Sequence, residues 1–174
     1  MSVLARKRSL SELEFYANAL KLRRDMTFLL LRDLGLKTIV RNMRVNTKMM
    51  EAEDAAAFCG LVDKYQLKLA GEYPEWLIEK LRSSIWDILR DLMLNITKAY
   101  TIWATCRAEA DERRIAQDRA IACCESLLKE LELAVEVLPI DAEKYMRYVD
   151  MVDREIALLK GWRKSDNKRH KSLK

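Results

Sequence analysis

Apolar residues recur every three to four positions along most of the chain, which is the period of an amphipathic helix. Phe15, Ala19, Leu22, Met26 and Leu29 advance in steps of 4, 3, 4 and 3, while Leu13, Tyr16, Leu20 and Leu31 widen the stripe beyond a two-stranded seam. Ser9 or Ser11 can cap a first helix, Ser11 with Glu14 at capping-box spacing, and Gly35 is a stop signal, so the pattern predicts a first helix over about residues 10–33. A second is predicted over about 47–70 from Ala57, Phe58, Leu61, Val62, Tyr65 and Leu69. Gly60 inside it costs about 1 kcal/mol relative to alanine, and Gly71 ends it.

Pro74 opens the longest regular segment, predicted to reach about Thr105 and to span roughly 45 Å. It carries two neighbouring apolar stripes, one of Ile78, Leu81, Ile85, Ile88, Leu92, Ala99 and Ile102, the other of Trp86, Leu89, Met93, Ile96, Tyr100 and Trp103. A helix with two such stripes touches more than one partner and is expected at the centre of the fold. From Arg107 to about Leu138 the series Ala120, Cys124, Leu127, Leu131, Ala134 and Leu138 predicts a further helix, ended by Pro139. Asp141 is placed to cap the last helix, whose seam of Tyr145, Val149, Val152, Ile156 and Leu159 runs to about Trp162. The short connections at 106–110 and 139–141 make these last three helices antiparallel neighbours.

Composition agrees with an all-α class. Only 4 Gly and 2 Pro occur in 174 residues, too few for the tight turns of hairpins and sandwiches. Half of the residues are hydrophobic and 34% are charged, which suits one soluble domain with its own core. The expected organisation is a basic segment at 1–9, a helical domain at 10–163 and a flexible basic tail at 164–174. No apolar run has the length of a signal peptide or a membrane span, so a cytoplasmic protein with no membrane role is expected.

The net charge of +5 conceals a segregation. Residues 1–48 carry 11 Lys and Arg against 4 Asp and Glu, residues 49–162 carry 15 against 22, and residues 163–174 carry 6 against 1. Basic ends suit phosphate backbones, because each neutralised phosphate releases condensed counterions; a solubilising tail is the alternative. Arg23 and Arg24 interrupt the apolar stripe of the first helix, and Arg113, Arg114 and Arg119 stand near the start of the fourth, where the helix dipole prefers acids. They either serve an anionic ligand or pair with Glu109, Asp111, Glu112 and Asp118. Trp162, between Gly161 and Arg163, has two readings: a ring for base stacking, or the residue that closes the helical core.

Catalytic chemistry is thin. The single histidine, His170, excludes Ser/His/Asp and Cys/His arrangements, and no phosphate-cradling glycine loop is present. Cys59, Cys106, Cys123 and Cys124 lack CxxC spacing, and the adjacent pair reads as small apolar residues at a helix interface. Asp87 and Asp91 stand one turn apart, a pattern that solvated helix faces produce routinely. A non-catalytic protein without metal or cofactor is expected.

Three stretches carry a resemblance. The pattern Met1-Ser2-Val3, Arg8-Ser9, Glu14-Phe15 and Ala19, the run Tyr100-Thr101-Ile102-Trp103 followed by Glu112-Arg113-Arg114, and the run from Glu155 through Gly161-Trp162-Arg163-Lys164 to Ser165 form it. The chain resembles the Avd-like (accessory variability determinant) proteins of diversity-generating retroelements, and more distantly the bundle proteins encoded in ribosomal RNA intervening sequences. The resemblance implies an antiparallel, up-down four-helix bundle, made here of the first helix and the last three, with residues 36–72 as a helical insertion where the family has a short proline-containing turn. It further implies a homopentamer that binds template RNA and complementary DNA together with a reverse transcriptase, as an accessory to complementary-DNA synthesis. The basic residues available for nucleic acid are then Arg6, Lys7, Arg8, Arg23, Arg24, Arg41, Arg44, Lys48, Arg113, Arg114, Arg163, Lys164, Lys168, Arg169 and Lys171. The competing expectation is a helical, oligomeric protein–protein scaffold with no nucleic-acid role.

Overall fold

The computed structural model describes residues 10–32, 34, 50–64, 75–138 and 140–173. Among these residues the protein is all-helical. Helix α1 spans Glu14–Leu31, α2 Ala52–Lys64, α3 Glu75–Thr101, α4 Arg107–Val137 and α5 Glu143–Arg169. No helix among the described residues is long and apolar enough to cross a membrane.

Both ends of α1 differ from the sequence expectation. A short 3-10 turn at Leu10–Glu12 precedes it, and the cap position is Leu13, whose extended backbone makes no side-chain cap bond, in place of Ser11. Beyond its other end Leu34 has a left-handed backbone, φ 59°, a conformation that costs a non-glycine residue about 1–2 kcal/mol. Two contacts hold it there: the leucine side chain is fully buried, and its carbonyl accepts the Tyr145 hydroxyl from α5. The expected stop, Gly35, lies outside the described residues, as do Pro74, Pro139 and residues 47–49 and 65–70 of the expected 47–70 helix; Met50 and Glu51 precede α2 without being helical.

Four helices share one core. Helix α3 packs on α4, α4 on α5, α5 on α1 and α1 on α3. Every residue of the predicted α4 seam, from Ala120 to Leu138, is buried. Helix α3 ends at Thr101, four residues short of its predicted end, and buries a blend of its two stripes: Leu81, Ile85, Leu89, Leu92, Met93, Ile96 and Ala99. Trp86 of the second stripe stays exposed, and so does Trp103, which lies in the connection beyond the helix. Cys124 lies in the core and Cys123 is half-buried beside it, the apolar role expected of the pair. No described residue of α2 is buried.

Helix α5 departs furthest from expectation. Asp141 does accept the Glu143 N–H at 3.1 Å, as a capping residue should, but the helix continues past Trp162 to Arg169, through half of what the composition marks as a flexible tail. The reason is the seam, which runs on from Leu159 through Trp162 to the buried Asp166.

One carboxyl lies deep in the core. Glu155 is fully buried, its Oε2 accepts from Asn18 Nδ2 at 2.8 Å, and its Oε1 has no partner. Burial pushes its pKa from the ordinary 4.5 up to about 7, against the lowering effect of the Asn18 bond. The folded protein therefore holds this proton between about pH 4.5 and 7 where the unfolded chain has released it, so stability falls as pH rises through that window and levels off above it. The size is on the order of 3 kcal/mol. Urea unfolding from pH 5 to 8 should show that decline in the parent and a flatter profile in Glu155→Gln; identical profiles would refute the assignment.

Gly161 offers a second check. A Cβ built there meets nothing within 4 Å, and the residue lies inside α5. Gly161→Ala should stabilise the protein by roughly 0.5–1 kcal/mol, raising the melting temperature by a few degrees.

Candidate nucleic-acid interface

Asp166 organises the end of α5. Its Oδ2 accepts from Arg113 Nε and from Gln117 Nε2, both at 2.7 Å and both from α4. Arg113 also donates from Nη1 to the Ile102 carbonyl at 2.9 Å, tying the α3–α4 connection into the same cluster. The Arg113 side chain is only 13% exposed and that of Asp166 4%. The guanidinium lies 5.4 Å from the ring centroid of Trp162, and Trp162 stacks on Phe15 of α1 at 4.2 Å with planes 10° apart. Trp162 thus closes the core, the structural one of its two readings.

With the inner face of α5 committed to this cluster, the outer cations fall into one row. Lys160, Arg163, Lys164, Asn167, Lys168 and Lys171 line an open groove of about 330 Å³. Their spacing follows the helical period, so one face collects them. The two nearest α4 are balanced by its acids: Arg163 Nε lies 2.9 Å from Asp118 and Lys160 Nζ 3.6 Å from Glu125. Among the described residues no carboxylate lies within ion-pair distance of Lys164, Lys168 or Lys171. Asn167 also borders a neighbouring depression of mixed charge, lined by Arg107, Arg113, Arg114 and His170 together with Asp111 and Asp166, which connects the row to the start of α4.

The sequence-derived cations therefore separate. Arg6, Lys7, Arg8, Arg41, Arg44 and Lys48 lie outside the described residues. Lys164, Lys168 and Lys171 come together, with Arg163 at their edge. Arg114 is exposed and borders the adjoining depression. Arg169 turns to Asp166, 3.6 Å away, and Arg24 to Asp25 at 3.1 Å. Arg23 lies over Trp86, 5.5 Å from the ring centroid. Arg113 is mostly buried and its partner is Asp166 instead of the nearby acids of its own helix, although it also borders the adjoining depression. Lys160, Asn167 and Arg107 are surface members that the sequence reading missed. Continuing the 3.6-residue period past Trp162 would have reached Asn167 and put Lys160, Lys164, Lys168 and Lys171 on one face.

The remaining candidates for chemistry sit in ordinary surroundings. Arg90 bridges Asp87 at 2.9 Å and Asp91 at 3.3 Å. Burial pushes the Cys123 and Cys124 thiols up, away from the reactive thiolate, with Asp91 adding to the effect at Cys123 and Glu155 at Cys124. Glu109 accepts from Thr105 Oγ1 at 2.6 Å and Thr105 N at 2.7 Å, which holds its carboxyl below the ordinary range and fixes the start of α4.

Asp166→Ala removes the shared acceptor of Arg113 and Gln117. Leaving a buried guanidinium uncompensated should cost roughly 3 kcal/mol in urea unfolding and loosen the last turns of α5. A loss below about 0.5 kcal/mol would mean that the pair does not hold the helix end.

Compared with protein-family models, with curated proteins and with solved structures, the chain finds no match in any of the three.

Proposed function

We propose that this chain is an Avd-like, non-catalytic accessory subunit that binds RNA or DNA and a reverse transcriptase and supports template-primed complementary-DNA synthesis in a retroelement. The observation that carries the reading is a lysine row, Lys164 and Lys168 on α5 and Lys171 in the turn that follows it, with no carboxylate within ion-pair distance among the described residues. Such a row neutralises successive phosphates of a nucleic-acid backbone, and each contact releases counterions. The finer architecture belongs to the same proposal: an up-down four-helix bundle of α1, α3, α4 and α5, with α2 as the inserted element. The closed ring of packing among those four helices supports it, together with the short α3–α4 and α4–α5 connections. In this reading the protein works in the cytoplasm as a homopentamer, which multiplies weak contacts by raising effective concentration. The acidic surface of residues 49–162 then faces a basic polymerase.

A second reading, a protein–protein scaffold, is favoured by one observation. Leu20, Phe28 and Leu31 of α1 are 43%, 55% and 66% exposed and stand opposite the core face of that helix.

The two readings part on salt and charge. Deleting residues 164–174 would also remove Asp166 and disturb the fold, so the clean variant is Lys164→Glu/Lys168→Glu/Lys171→Glu. For the parent, log affinity for RNA should fall linearly with log salt, and the triple variant should lower that slope by about 2–3. RNA binding indifferent to salt and to these charges, with self-association intact, would favour the scaffold.

A further inference from the structure

The α3–α4 connection carries an exposed ring. Trp103 is 67% exposed, yet the backbone around it is held. Arg113 fixes the Ile102 carbonyl at 2.9 Å, and Glu109 takes the Thr105 N–H at 2.7 Å and the Thr105 hydroxyl at 2.6 Å. An indole left in water on a fixed backbone exposes a large apolar face that the fold could have used inside, as it uses Trp162 on Phe15.

The position of Trp103 relates it to the basic surface. Arg113 binds Ile102 with one nitrogen and Asp166 with another, so the connection bearing Trp103 and the end of α5 lie at the same end of the molecule. The acids there are engaged: Asp111 with Arg107 at 3.1 Å, Glu112 with Lys98 at 3.1 Å and Asp166 with Arg113 at 2.7 Å. Arg114, Lys168 and Lys171 have no carboxylate within ion-pair distance among the described residues. This end therefore offers cations for phosphates and one open π-face.

We propose that this end of the protein selects unpaired nucleotides, with a base stacking on Trp103 while the flanking phosphates meet Arg114 and the lysines that end α5. The inference rests on the nucleic-acid reading above and adds the class of nucleic acid. Duplex bases are already stacked on one another and leave no face for an indole, whereas a single strand can turn a base out. A basic row alone would bind both forms.

The test compares an unstructured single-stranded RNA of about 12 nucleotides with a duplex of the same length, at about 0.1 M salt. Trp103→Ala should weaken single-strand binding roughly tenfold and leave duplex binding unchanged. The single strand should also quench tryptophan emission in the parent and lose that quenching in the variant. Trp76 is the control: it is 65% exposed and lies in the first turn of α3, at the opposite end of that helix from the connection that bears Trp103 and roughly 35–40 Å away along it. Trp76→Ala should behave as the parent. Both RNAs bound equally well by Trp103→Ala and the parent would overturn the inference and leave the nucleic-acid reading standing. Equal weakening of single strand and duplex would overturn it as well, by making Trp103 a structural residue. A parent that binds neither RNA would sink both.

Discussion

The buried pair of Asp166 and Arg113 is the contact on which the functional end of the molecule depends. It fastens α5 to α4, holds the α3–α4 connection through Ile102, and places Arg113 over Trp162, which in turn stacks on α1. A buried ion pair is a weak source of net stability, because desolvating two charges offsets most of their attraction; its value lies in disfavouring arrangements that leave either charge alone. Sliding α5 by one turn against α4 would separate Asp166 from Arg113 and leave each largely buried charge without the other. Register at this end therefore depends on charge as well as on the fit of apolar side chains.

That inner pairing also decides which charges face outward. The acids of α4 meet the cations of α5 nearest to them, Asp118 with Arg163 and Glu125 with Lys160. What remains for solvent is the lysine row of the last turns, next to the negative end of the helix dipole, where cations are also favoured. About half of a segment that composition marks as disordered is thus helix, and its charge is presented in a line. Ordering matters for binding, since a cation already in place loses less conformational entropy on meeting a phosphate than one on a flexible arm.

Glu155 and Asn18 illustrate the same logic in the core. A carboxyl with one bonded and one unpartnered oxygen weakens the fold at neutral pH, yet it pairs α1 with α5 at a single register. Leu34 adds a third fixed point: a left-handed leucine is tolerable because its side chain is fully buried and its carbonyl receives Tyr145.

Much of this was readable from residue order. The α4 seam from Ala120 to Leu138, the approximate helix limits and the closing role open to Trp162 follow from period and punctuation, because helix formation and amphipathicity are short-range properties. The same period, continued beyond Trp162, reaches Asn167 and aligns Lys160 with Lys164, Lys168 and Lys171 on one face. Others were out of reach. That Arg113 belongs to Asp166, 53 residues away, and not to the acids one turn from it depends on how two helices lie side by side. That Trp103 is open while Trp162 is covered depends on which neighbours α3 and α5 meet. Local pattern encodes which face of a helix is apolar; only packing assigns each charged or aromatic side chain its partner, because those partners come from distant parts of the chain.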